Sequence, residues 1–262
     1  MLFRSSAAGR PLRLLVVKDL RIFRRDISQW SQFAIFFGLL GIYFFNLRSF
    51  NYNHAYASMI GFLNLAVVGL ILSTFTTRFV FPMISLEGRR FWILGLLPVH
   101  RDQIVWSKFL FSFLGGLLPC CGLVLLSDMM LGLGRGAIVV HEFCCAVLCM
   151  GLSGIAVGIG ARMPDLREVS PAKISSGFGG TLCLVLSSLF IMVVVVVAAL
   201  PTHLYFLGRS FSADAGGQRD FLLWAGSGPG VAISLALISA VGLLATTVPL
   251  VLGLRSFRRL EP

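Results

Sequence analysis

The chain has 262 residues, of which 57% are hydrophobic and 13% charged, and its formal net charge is +11. A soluble domain carries about a quarter of its residues as charge, so the composition excludes that class and points to an integral membrane protein. The basic excess does not read as a nucleic-acid surface, because no folded basic domain exists to carry it.

The first element lies within residues 1–28, a segment expected in the cytoplasm. On a helical wheel over 10–25, Leu12, Leu15, Val16, Leu20, Ile22 and Phe23 gather on one side. Arg10, Arg13, Lys18, Arg21, Arg24 and Arg25 gather on the other, and Leu14, Val17 and Asp19 break the pattern. This is an interfacial amphipathic helix, apolar toward the acyl boundary and basic toward anionic headgroups. Arginines interrupt the first apolar run too often for a cleavable signal peptide.

Six apolar stretches follow, at 29–47, 56–77, 105–131, 137–161, 178–200 and 229–254. Each approaches the ~20 residues that cross a bilayer as a helix. The alternation of a barrel strand is absent, so helices are the way to satisfy the backbone in lipid. The fold class expected is an all-α integral membrane protein with six transmembrane helices. With both ends inside, the basic residues divide 18 against 4 in favour of the cytoplasmic side. That asymmetry predicts a multi-pass protein of the cell (inner) membrane with both termini cytoplasmic and membrane lipids as partners.

Between Arg78 and Lys108 the pattern is broken by a basic loop with the acid Glu87 and an apolar core from Phe91 to Leu97, closed by Pro98. Ser85 reads as a helix N-cap, Glu87 and Gly88 as the first turn, and Gly95 and Pro98 as stops. A short surface helix cannot turn Phe91, Trp92, Leu94 and Leu96 all toward lipid. Some therefore fill a groove on a soluble partner, with Trp92 as the anchor. The plainer reading of Trp92 is an interfacial aromatic at headgroup level.

Further on, Gly132, Gly134 and Gly136 predict a tight turn between the third and fourth spans. Gly151, Gly154 and Gly158 give the fourth span a small-residue face, read as packing within the chain rather than dimerisation. A second cytoplasmic loop, 162–176, carries Pro164, Pro171, Asp165, Arg167, Glu168 and Lys173. The outer segment 201–228 is the longest, and its Phe221–Trp224 piece is too short to cross.

Little in the spans points to bond-making chemistry. Cys120, Cys121, Cys144, Cys145, Cys149 and Cys183 all fall in apolar stretches, where cysteine acts as a small hydrophobe, and none has zinc-site spacing. His141 with Cys144 and Cys145 is the nearest approach to a metal cluster, and no metal site is assigned. Gly151-Leu152-Ser153-Gly154 resembles the nucleophile motif of rhomboid intramembrane proteases. Such an enzyme needs a histidine on a later helix. Span six has none and His203 lies beyond Pro201, so Ser153 is read as a packing serine bonded to its own helix. Asp128 and Glu142 are the acids within spans, both near outer ends. No G-x-x-x-x-G-K-[ST] occurs, so this chain binds ATP by no such loop. It is read as no enzyme, with no catalytic or cofactor residues of its own.

On Glu87, Leu97-Pro98, Arg101 and Lys108, the first loop resembles that of the membrane subunit of ABC-2-type ATP-binding-cassette exporters. There an acid is followed by Leu-Pro, a basic residue and a lysine that opens the next helix. Pro164, Lys173, Gly177, Gly179 and Gly180 resemble the second loop of that family. The resemblance implies an N-terminal surface helix and a six-span permease domain, 29–262. It also implies a coupling element that docks on a P-loop ATPase through Glu87, Gly88, Phe91, Trp92, Leu97, Pro98, Arg101 and Lys108, assisted by Pro164 and Lys173. ATP and Mg would sit on that ATPase, and a second permease subunit, identical or not, would complete the assembly. The function expected is the permease subunit of an ATP-driven exporter, coupling a separate ATPase to substrate efflux. The alternative is a non-transport membrane scaffold or an inactive permease remnant.

Overall fold

The computed structural model describes residues 4–25, 27–46, 54–87, 101–165, 168, 170–210 and 216–258. Among these residues every regular element is helical: α1 (Arg4–Arg25), α2 (Ile27–Asn46), α3 (His54–Phe75), α4 (Met83–Glu87), α5 (Arg101–Met130), α6 (Arg135–Arg162), α7 (Pro171–Ser176), α8 (Phe178–Ser210), α9 (Gly216–Ala225) and α10 (Gly228–Arg258). All six apolar stretches fall in helices. Five are long and apolar enough to cross a membrane by themselves: Ala57–Glu87, Asp102–Met130, Arg135–Arg162, Phe178–Arg209 and Gly228–Arg258. The first stretch, α2, joins that set only when taken with α1, which it meets at 79°.

Two boundaries differ from expectation. The second stretch does not end at residue 77. A π-helical turn, Thr76–Val80, carries α3 onward to α4, with the Phe81 N–H donating to Thr76 O at 2.9 Å. The fifth stretch does not end at Pro201, because α8 runs through it to Ser210. Proline removes one backbone bond, which transmembrane helices tolerate where neighbours support the chain. Here α9 lies along the tail of α8, with Gly208 against Leu222 and Leu223.

The core centres on α6, whose apolar window is 83% buried against 22–56% for the other four candidates. It packs on α3, α5, α8 and α10. Its glycines make that possible. A Cβ on Gly154 would sit 2.6 Å from Thr246 Cα, and one on Gly158 would sit 2.3 Å from the Pro249 carbonyl carbon. One on Gly151 would sit 2.4 Å from the Phe190 ring. The small-residue face is thus used inside the chain. At the α5–α6 turn, Gly132 has φ +65°, a conformation that favours glycine.

Candidate functional site

The polar residues buried at one end of the bundle organise three separate elements. Lys108, on the second turn of α5, is 2% exposed. Its Nζ donates to Asp19 Oδ1 on α1 at 2.7 Å and to Glu87 Oε1 on α4 at 2.6 Å. Lys18 Nζ donates to the same Glu87 oxygen at 2.6 Å and lies 3.7 Å from Asp19 Oδ1. Two ammonium groups and two carboxylates therefore form one neutral cluster. A lone charge in such a place would be prohibitively desolvated, whereas a paired and hydrogen-bonded one is not. Burial pushes the Asp19 carboxyl up from its ordinary value, against the pull of the Lys108 ammonium. Burial lowers the Lys18 pKa, and the Glu87 carboxylate more than offsets it, leaving that ammonium above its ordinary value.

The helix register explains the cluster. On α1, Leu15 and Asp19 are buried and Val16 and Phe23 half-buried, so this stripe faces the bundle. Phe23 packs edge-on against Phe75 and Phe111, at 6.0 and 6.1 Å between centroids. Leu14, Val17, Leu20 and Ile22 are exposed beside Arg13, Arg21, Arg24 and Arg25. Asp19, a break in the amphipathic pattern, is therefore the centre of the α1 contact.

Other bonds close the same end. Ser85 is no N-cap: it is buried inside α4, and its Oγ accepts from the Asp165 N–H at 3.1 Å, joining the two loops. Asp102, on the first turn of α5, takes a two-pronged bond from Arg258 at the end of α10, with Nε to Oδ1 at 2.9 Å and Nη2 to Oδ2. The early and late parts of the chain thus meet at this end.

Of the predicted coupling residues, Glu87 and Lys108 are brought together, but inward. Glu87 ends α4 rather than opening a helix. Gly88, Phe91, Trp92, Leu97 and Pro98 lie outside the described residues, as do Gly95, Leu94 and Leu96; Arg101 begins α5. In the second loop Pro164 is half-buried, and Lys173 is exposed on α7, 3.7 Å from Glu168. Lys18 and Asp19 were missed as members of this site. The available signal was one acid on an otherwise basic helix, four residues after Leu15 and four before Phe23.

The remaining polar candidates resolve differently. Ser153 Oγ is 2.8 Å from Ser112 Oγ on α5, a bond between helices rather than back to its own. His141 is taken up by Asp128, with Nδ1 2.9 Å from Oδ2. Among the described residues no group of three His, Cys, Asp or Glu side chains is placed to hold a metal.

The family described as "Putative ATP-binding cassette" matches residues 2–262. No curated protein and no solved structure matches the chain. The family match overturns the expectation of an ABC-2-type permease subunit and, with it, the reading as the permease of an ATP-driven exporter. It lends no support to the scaffold, remnant or protease alternatives. Glu87 and Lys108, whose spacing carried the resemblance, are paired with each other and with α1 in an internal ion cluster. With the match extending over residues 2–262, the chain belongs to this ATP-binding-cassette family.

Proposed function

We propose that the chain is a membrane-embedded component of an ATP-binding-cassette system, and that its partner is a P-loop ATPase carried on a different polypeptide. One observation supports this most. An ATP-binding-cassette family covers the chain from residue 2 to 262, yet the sequence holds no G-x-x-x-x-G-K-[ST]. A phosphate loop follows a strand and opens a helix, and the described residues form helices only. In this reading the chain is no enzyme, binds no nucleotide and relies on the partner for ATP and Mg. Lipids cover its exposed apolar faces, such as Leu39, Ile42 and Phe45 on α2 and Leu244 and Val248 on α10.

Photoaffinity labelling with 8-azido-ATP tests the proposal. The purified chain alone should take up no saturable label. When it is mixed with a P-loop ATPase encoded beside it, the label should fall on the ATPase. Saturable, Mg-dependent labelling of this chain would overturn the reading and place the nucleotide here.

The Lys108 end is proposed as the cytoplasmic one, supported by the excess of basic residues around it. A membrane-impermeant maleimide applied from outside should modify Gly134→Cys, in the α5–α6 turn, where an added Cβ meets nothing within 4 Å. It should not modify Lys173→Cys on α7. The reverse labelling would invert the topology.

A further inference from the structure

The end of the bundle opposite Lys108 holds a partly open cavity of about 360 Å³. Its walls come from the early turns of α3, α6 and α10 and from α8 around Pro201. The lining is mostly apolar, with Phe62, Val140, Leu235 and Ile238 prominent. Within it stands His141, 1% exposed. The imidazole is fixed on two sides. Phe62 meets it edge-on at 4.5 Å between centroids. Gly61 leaves room for it, since a Cβ there would lie 2.7 Å from Cε1.

The proton count on this residue decides what it offers. Nδ1 is bonded to Asp128 Oδ2, and both side chains are 1% exposed. A net charge on so buried a pair is costly, so the pair is neutral overall. A proton on Asp128 Oδ1 would find no partner among the described residues, so the acid proton stays within the Oδ2–Nδ1 bond, in one of two arrangements. Either Asp128 is ionised and His141 carries both ring protons, or Asp128 is protonated and donates to Nδ1 while the neutral ring keeps its proton on Nε2. Both leave a hydrogen on Nε2. That atom is buried and finds no partner among the described residues. An unanswered buried donor carries its full desolvation penalty. Ser58, Thr202 and Ser234 are the other polar side chains in a lining that is otherwise apolar.

We propose that this cavity binds a compact, uncharged, apolar molecule with one acceptor oxygen, which takes the Nε2–H hydrogen bond of His141. A charged occupant would lose its hydration against walls that are mostly apolar. The site is independent of the nucleotide question, and no member of it belongs to the Lys108 cluster.

Benzophenone is a suitable probe, since it is an uncharged apolar ketone that inserts into nearby C–H bonds on illumination. The full chain in lipid nanodiscs is photolabelled over a concentration series and mapped by peptide mass spectrometry. Saturable labelling is expected on Val140, Leu235 and Ile238, against non-saturable labelling on lipid-facing Leu244. His141→Leu removes the donor and should weaken half-saturation about tenfold, the worth of one buried hydrogen bond. Ser234→Phe fills the cavity from a half-buried wall position and should abolish saturable labelling with His141 intact. It serves as the second test if His141→Leu fails to fold. Absence of saturable labelling in the native chain overturns the proposal. So does half-saturation indifferent to His141→Leu, or saturable labelling that survives Ser234→Phe.

Discussion

Replacing Lys108 by methionine should destabilise the protein by about 3–5 kcal/mol, because it strands buried carboxylates without their cation. Asp19 is the group most harmed. Its Oδ1 loses the 2.7 Å bond to Nζ, while its Oδ2 already has no partner among the described residues. Lys18 offers little replacement, being 3.7 Å away with a side chain 39% exposed. Lys18→Met should accordingly cost under about 1 kcal/mol, as screened, half-exposed pairs do. The double variant Asp19→Leu with Lys108→Met leaves Glu87 paired with Lys18 and should recover most of the loss, since buried pairs are replaceable by apolar side chains of similar size. Thermal unfolding in detergent, followed by tryptophan fluorescence, ranks the three. If the double variant is no more stable than Lys108→Met, Asp19 is not the stranded charge.

Gly158→Ala should be strongly damaging for the addition of a single methyl group. The new Cβ would fall 2.3 Å from the Pro249 carbonyl carbon and 2.5 Å from its oxygen, both backbone atoms that no rotamer change can move. Across the same contact, Gly253 is 2.5 Å from the Gly158 carbonyl oxygen by the same measure. α6 and α10 would have to separate, and overpacking of this kind costs about 1–3 kcal/mol or more. Gly115→Ala, on α5, meets nothing within 4 Å and should instead gain about 0.5–1 kcal/mol from helix propensity. Equal melting shifts for the two variants would mean that α6 and α10 are not in backbone contact.

The helices were legible because lipid imposes them. Apolar runs such as 137–161 have no other way to satisfy their backbones, and α6 follows the run to within two residues at its start. What the sequence concealed depends on register between distant elements. Asp19 broke the amphipathic pattern of residues 10–25, yet its partner lies 89 residues away on α5, and no local period reports that. Asp128 and His141 were singled out separately, one as a span-end acid and the other beside Cys144 and Cys145. Their pairing follows from the tight α5–α6 turn, which brings the last turn of one helix alongside the second turn of the next. The resemblance carried by Glu87 and Lys108 is overturned by the family match, and the inward pairing of these two residues is a further matter of long-range register. The fifth apolar stretch ends at residue 200 by composition, but its helix continues through Pro201 to Ser210.

The length of α8 has a consequence for how the protein fits its bilayer. Residues 178–200 amount to about 35 Å of helix, enough to match a hydrocarbon core of about 30 Å. The continuation to Ser210 adds about 15 Å more, with the Arg209 guanidinium 6.0 Å from the Tyr205 ring centroid. In a thicker bilayer α8 can sink without exposing backbone. α2 cannot: its 20 residues give about 30 Å, with no apolar reserve.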